Sequence, residues 1–253
     1  MAKVLVVANQ KGGEAKTTTA HTIGSGLRLR GYRVLFIDLD GQCNLSHTLQ
    51  VINVKKTALE LLQGEINAKE TIIKTSSGDV IAGSTYLNAL DITLKGAKVD
   101  KRLRDALEPI KQDYDFIVID TPPALGIRTI NAFTVADYLV IPAQADVYSL
   151  QGIGQLNGTI ETVRNKSNKN LKIGGIVLTR YNGRAVLNRN LAELIEETAE
   201  SIGTKVYKSM IREAVAVKEA KASLQSILEY APKSNPAKDY NALIDEILED
   251  LGL

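Results

Sequence analysis

The 253-residue chain is 44% hydrophobic and 24% charged, and its 31 basic and 29 acidic side chains leave a formal net charge of +2. One cysteine and two histidines exclude a disulfide framework and argue against cysteine-held metal clusters and histidine-based metal or triad chemistry. No stretch approaches the roughly eighteen apolar residues of a membrane span, and the length suits one α/β domain over residues 1–253.

Residues 3–8 (KVLVVA) form an apolar run expected to be a buried parallel strand. The chain opens on that strand, so no signal peptide is expected and the location should be cytoplasmic. Directly after it comes NQKGGEAKTT at 9–18, and a helical pattern follows over about 16–30, stopping at Gly31. A strand feeding a glycine-rich turn that opens a helix is a phosphate cradle: backbone N–H groups converge on one spot, where the helix dipole also favours anions. Gly12 and Gly13 allow close backbone approach. Lys16 can reach β/γ-phosphates, the Thr17 hydroxyl can ligate Mg²⁺, and Thr18 is a spare hydroxyl.

Further strands are expected at 33–37, 115–119, 138–142 and 173–178, with a weaker edge pair at 71–75 and 79–83. Helices are expected near 98–111 and over 186–202. Gly24 and Gly26 should allow the first helix to pack closely on a sheet, and His21 and His47 are expected on a surface or a helix face. Alternating strands and helices imply a doubly wound, mostly parallel sheet with helices on both faces and the ligand at the strand carboxyl ends. Lys16, Asp40 and Asp120 all fall at such ends. Asp38 and Asp40 after one run and Asp120 after another suggest a metal site facing the cradle, with solvated strand-end acids as the plainer alternative.

A second lysine narrows the reading. Lys11 lies five residues before Lys16, and the turn resembles the KGGxGK[ST] pattern of the ParA/MinD family of deviant Walker A P-loop ATPases. FIDLDGQCNLS at 36–46 is similar to that family's DxDPQxN segment, and FIVIDTPPALG at 116–126 to its Walker B and switch II. SILEYAPKSNPAKDYNALIDEIL resembles the end of the ParA or Soj partition ATPases, so the likeness covers nearly the whole chain. It implies an ATP- and Mg²⁺-dependent ATPase that dimerises on binding ATP. Lys16 then corresponds to the P-loop lysine, Thr17 to the metal ligand, and Lys11 to the lysine that crosses to the γ-phosphate of the neighbouring subunit. Asp40 matches the carboxylate positioning the attacking water, and Asp120 the Walker B aspartate, supported by Asp38.

Three departures from the pattern matter. Ala15 replaces a glycine at a position expected to need φ > 0, which costs a residue with a Cβ roughly 1–2 kcal/mol. Glu14 adds a carboxylate beside the phosphates, and its side chain is expected to point outward, toward Lys11. Gly41 replaces a proline after Asp40 and should loosen that loop. Nucleotide binding should survive these changes with slow hydrolysis.

The resemblance implies that loops late in the chain border adenine. Asn182 is a candidate for the base edge or a plain turn residue, with Met210 and Arg212 nearby, although the family proline near Ile211 is missing. It also implies nonspecific binding to double-stranded DNA. Arg180, Arg184, Arg189, Lys208, Arg212, Lys218 and Lys221 cluster where relatives carry the residues for it, each being a plausible solvated cation taken singly, and together implying salt-steep affinity and association with the nucleoid. A MinD-like membrane cycle would need a basic amphipathic C-terminal helix. Residues 236–253 instead hold Lys238 against Asp239, Asp245, Glu246, Glu249 and Asp250, and the apolar Tyr240, Leu243, Ile244, Ile247, Leu248 and Leu251 should pack on the domain. No membrane partner is expected, and a scaffold that binds ATP without useful turnover is the remaining alternative. A ParB-type adaptor is implied by the resemblance alone, and a chain starting at its first strand is expected to lack an N-terminal helix-turn-helix domain.

Overall fold

The computed structural model describes residues 1–253. In chain order the elements are β1 (Lys3–Val7), α1 (Lys16–Leu29), β2 (Val34–Asp38), α2 (Asn44–Thr48), α3 (Ala58–Gln63), α4 (Ala68–Thr71), β3 (Ile72–Thr75), β4 (Gly78–Ile81), α5 (Leu90–Thr93) and α6 (Arg102–Leu107). There follow β5 (Phe116–Asp120), α7 (Ile127–Val135), β6 (Tyr138–Ala143), α8 (Val147–Lys166), β7 (Lys172–Leu178), α9 (Val186–Ser201), α10 (Val215–Ala222), α11 (Ile227–Tyr230) and α12 (Asn235–Asp250).

The strands form one seven-stranded sheet in the order β3-β4-β2-β5-β1-β6-β7. Every neighbouring pair is parallel except β3 and β4, the expected edge pair, which is antiparallel. Runs such as VLFID and FIVID are buried along their whole length because helices cover both faces of the sheet. Two apolar clusters result. One lies under α3 and α6 to α9, and the other under α1 and the C-terminal helices.

The expected helix over 98–111 is broken. A 3₁₀ turn at Val99–Lys101 precedes α6, and another follows at Glu108–Asp113 with Pro109 in its first turn. Proline has no N–H to give and its ring crowds the preceding turn, so α6 stops at Leu107. Both glycines of α1 answer to packing, but against different partners. A Cβ on Gly24 would strike the Phe36 ring of β2, whereas one on Gly26 would strike Ile244 and Leu228 of the C-terminal helices. His21 is buried on the inner face of α1, and burial, with help from the Arg28 charge, lowers its pKa to about 4. His47 is exposed.

The C-terminal α12 buries Tyr240, Leu243, Ile244, Ile247 and Leu248 in the second cluster, with Leu251 packed at its edge. Its acids point back at the protein: Asp239 pairs with Arg212, Asp245 with Arg30 and Asp250 with Lys205, while Glu246 accepts from the backbone N–H groups of Lys208 and Ser209. No helix is long and apolar enough to cross a membrane.

Candidate functional site

The turn between β1 and α1 opens into a cavity of about 370 Å³ at the carboxyl ends of the strands. Gly12, Gly13, Ala15, Lys16, Thr17 and Thr18 line one end of it, and Asp40 faces them. Gly13 has φ 84° and Ala15 has φ 64°, ψ 24°, so both adopt the left-handed conformation that turns the chain into α1. No side chain caps α1. Its first N–H groups are therefore open to an anion.

Lys16 is buried, and its Nζ donates to the Lys11 carbonyl at 2.9 Å. Burial lowers its pKa, with Asp120 and Asp40 opposing. Thr17 Oγ1 donates to Asp120 Oδ2 at 2.6 Å, while Asp120 Oδ1, fully buried, has no partner. Burial, reinforced by the charge of Asp38, holds the Asp120 carboxyl well above the ordinary range. A buried carboxylate with one orphaned oxygen, hydrogen-bonded to a hydroxyl at the mouth of a phosphate cradle, fits a hard divalent cation completed by phosphate oxygens and water.

Asp38 is spent on structure. Its Oδ1 accepts from the Asp40 N–H at 3.1 Å, and its Oδ2 from the Ser46 N–H at 2.8 Å and hydroxyl at 2.6 Å. Burial pushes its pKa to about 6 against those bonds. Asp40 Oδ1 accepts from the Gln42 N–H at 3.0 Å, which sets the carboxylate at the rim of the cavity. Gly41 is buried, and a Cβ there would meet the Asn88 amide at 2.5 to 2.7 Å, so the glycine leaves the room that Asn88 fills.

Glu14 turns away from the cavity and toward Lys11 as expected, but it does not point outward: it is fully buried at the junction of β6 and α8. Its Oε2 accepts from the Gln144 N–H at 2.5 Å and from the Ser149 hydroxyl at 3.3 Å, and its Oε1 pairs with Lys11 Nζ at 2.6 Å. Lys11 also pairs with Asp146, a residue sequence reasoning missed. Burial pulls the Lys11 pKa down, but hydrogen bonds and charge from Asp146 and Glu14 outweigh it and leave the ammonium above its usual value.

Known proteins resemble this chain over its whole length. It is 36% identical to the sporulation initiation inhibitor protein Soj of Bacillus subtilis, across 98% of both chains. It is 38% identical to the chromosome partitioning protein ParA of Caulobacter vibrioides, across 97% of this chain and 94% of that one. The chain belongs to the ParA/Soj family of partition ATPases. A family model described as an AAA domain matches residues 2–173, and one described as 4Fe-4S iron sulfur cluster binding proteins of the NifH/frxC family matches 109–252. The chain's single cysteine, Cys43, lies outside that second stretch, so the match supplies no cluster ligand and reflects the later strands and helices of the fold. Among solved structures, cobyrinic acid a,c-diamide synthase of Mycobacterium smegmatis, crystallised with ADP and magnesium, is 30% identical with a TM-score of 0.86, covering 100% of this chain and 96% of its own.

At the far end of the cavity this ParA/Soj chain departs from the sequence-based expectations. Thr179, Arg180, Ile211 and Arg212 line it, brought together by the Tyr181 N–H donating to the Ile211 carbonyl and the Ile211 N–H to Leu178. Asn182 does not line it; its Oδ1 accepts from the Arg184 N–H and closes a turn. Met210 packs against the first apolar cluster instead. The basic residues divide. Arg180, Lys218 and Lys221 face the cavity, and Arg212 is gripped by Asp239 through two hydrogen bonds of 2.9 and 2.6 Å. Arg189 donates to the Gly183 and Arg184 carbonyls, and Arg184 and Lys208 are exposed.

Proposed function

We propose that residues 1–253 act as one ATPase domain, a nucleotide-switched dimer that hydrolyses ATP slowly with Mg²⁺, follows double-stranded DNA without sequence preference and moves cargo with a ParB-type adaptor. The observation that carries this reading is the meeting of Lys16, Thr17 and Asp40 around one cavity at the strand ends, with the buried Asp120 hydrogen-bonded to Thr17 behind its wall. Lys16 neutralises the β/γ-phosphates, Thr17 and Asp120 hold the metal, and Asp40 orients the attacking water. Bound magnesium supplies charge neutralisation at the phosphates. Lys11 serves the γ-phosphate of the second subunit.

Exposed apolar side chains support the dimer. Val147 and Tyr148 start α8 directly after Asp146, Val186 and Leu187 start α9, and Val215 starts α10 beside cavity-lining Ala214. Arg184, Arg189 and Lys208 remain the exposed candidates for DNA phosphates, while Arg180, Lys218 and Lys221 at the cavity are better suited to nucleotide or to a closed dimer. The membrane-cycling alternative is disfavoured because the apolar face of α12 is already buried.

The test is a mobility shift on arbitrary duplex DNA with and without ATP and Mg²⁺, combined with phosphate release followed over hours. ATP-dependent binding lost at high salt and slow turnover are expected. Equal DNA binding without nucleotide overturns the dimer gate, and no phosphate release over hours turns the reading to a nucleotide-dependent scaffold.

A further inference from the structure

Arg128, in the first turn of α7, is buried, yet its charge plays no part in the site described above. Its Nη1 donates to the Leu39 carbonyl at 3.3 Å and to Asn88 Oδ1 at 3.1 Å, and its Nη2 donates to Asp91 Oδ2 at 3.2 Å. The Leu39 carbonyl belongs to the peptide unit that contains the Asp40 N–H, which donates to Asp38. The Leu39 N–H donates to the Asp120 carbonyl at 3.0 Å. The backbone leading into Asp40 is thus fixed from three sides: by Asp38, by the end of β5 and by Arg128.

Asn88 and Asp91, from the segment joining β4 to α6, each fill the space beside a glycine. The Asn88 amide occupies the room a Cβ would need on Gly41, the residue after Asp40. The Asp91 carboxylate occupies the corresponding room on Gly126 and accepts the Ile127 N–H at 2.7 Å, supplying the cap that Gly126 cannot. Arg128 bridges both. A glycine replacing the family's proline at 41 therefore goes together with a side chain that takes its space and an arginine that holds that side chain.

We infer that Arg128 is a positioning residue that ties the Asp40 loop to the start of α7, directly at the Leu39 carbonyl and through Asn88, and so holds Asp40 in place. The tie substitutes for the rigidity a proline would give. Its kinetic consequence rests on the ATPase reading above; its structural consequence does not.

The test uses the full chain with Arg128→Gln, Asn88→Ala, Gly41→Ala and Arg128→Lys, each checked for fold by circular dichroism, with surface Arg104→Gln as control. Hydrogen exchange of the Leu39–Cys43 amides should rise about tenfold in the Gln and both Ala variants, with the Lys variant between them and the parent. The turnover number should fall about tenfold in the same three, with KM for ATP within twofold, because misplacing Asp40 harms the reaction and not the binding of phosphates. Combining Arg128→Gln with Asn88→Ala should be no worse than Arg128→Gln alone. Unchanged exchange in folded Arg128→Gln overturns the tie; if that variant does not fold, unchanged exchange in both Asn88→Ala and Gly41→Ala does so. A parent protein that releases no phosphate defeats the ATPase reading, and the exchange data still decide the tie.

Discussion

The two ends of the cavity are built from different materials. Around residues 9–18 the side chains are buried or half-buried and held: Lys16 by a carbonyl, Thr17 by Asp120, Glu14 by a backbone N–H and a hydroxyl. Along 179–184 and 208–213 Arg180 and Arg212 are exposed, and the loops are fixed by backbone bonds between Tyr181, Ile211 and Leu178 together with carboxylates of α12, Asp239 on Arg212 and Glu246 on the N–H groups of Lys208 and Ser209. In the proposed function, phosphate recognition rests on turn geometry and a few polar contacts, which demand particular residues at particular spacings. A base can be bordered by any loop that arrives at the right place, so that end places little constraint on residue type.

Three substitutions sharpen or break this contrast. Lys16→Ala should cost about a hundredfold in ATP affinity with Mg²⁺, on the order of 2.7 kcal/mol, because it removes the buried cation of the cradle. Calorimetry finding affinity within fivefold of the parent would refute the assignment of the phosphate end. Ala15→Gly should raise stability by about 1 kcal/mol, or roughly 2–4 °C in Tm, by relieving the positive φ at a partial cost in unfolded-state entropy. A melting curve that does not move, or moves down, would show that the turn has adapted to the methyl group. Asn182→Ala should change ATP affinity less than about twofold, since its side chain closes a turn outside the cavity. A tenfold loss in titration would place the base at Asn182 and undo the contrast.

The same contrast explains how far the sequence could be read. Buried parallel strands declare themselves as continuous apolar runs, and the strand ends brought Lys16, Asp40 and Asp120 to one place. The broken helix around Pro109 was mistaken because its apolar pattern continues while its hydrogen bonding cannot. α8 was not singled out, since Gly152, Gly154 and Gly158 interrupt its pattern, and with it went Asp146. Glu14 turns toward Lys11 as expected, but its burial was missed because nothing local reveals that Gln144 and Ser149, far along the chain, offer it donors. Arg128 carries no motif at all. An arginine in a helix looks solvated until the partners at 39, 88 and 91 converge on it, and only tertiary structure brings them there.

The buried carboxylate of Glu14 has a mechanical consequence. It fastens the phosphate turn to the residues that begin α8, a 20-residue helix about 30 Å long. Any displacement of the turn must either carry that rod along or strand an anion in the interior. The glycine-rich turn is therefore joined to a stiff beam whose far end emerges near Lys166, on the opposite side of the molecule.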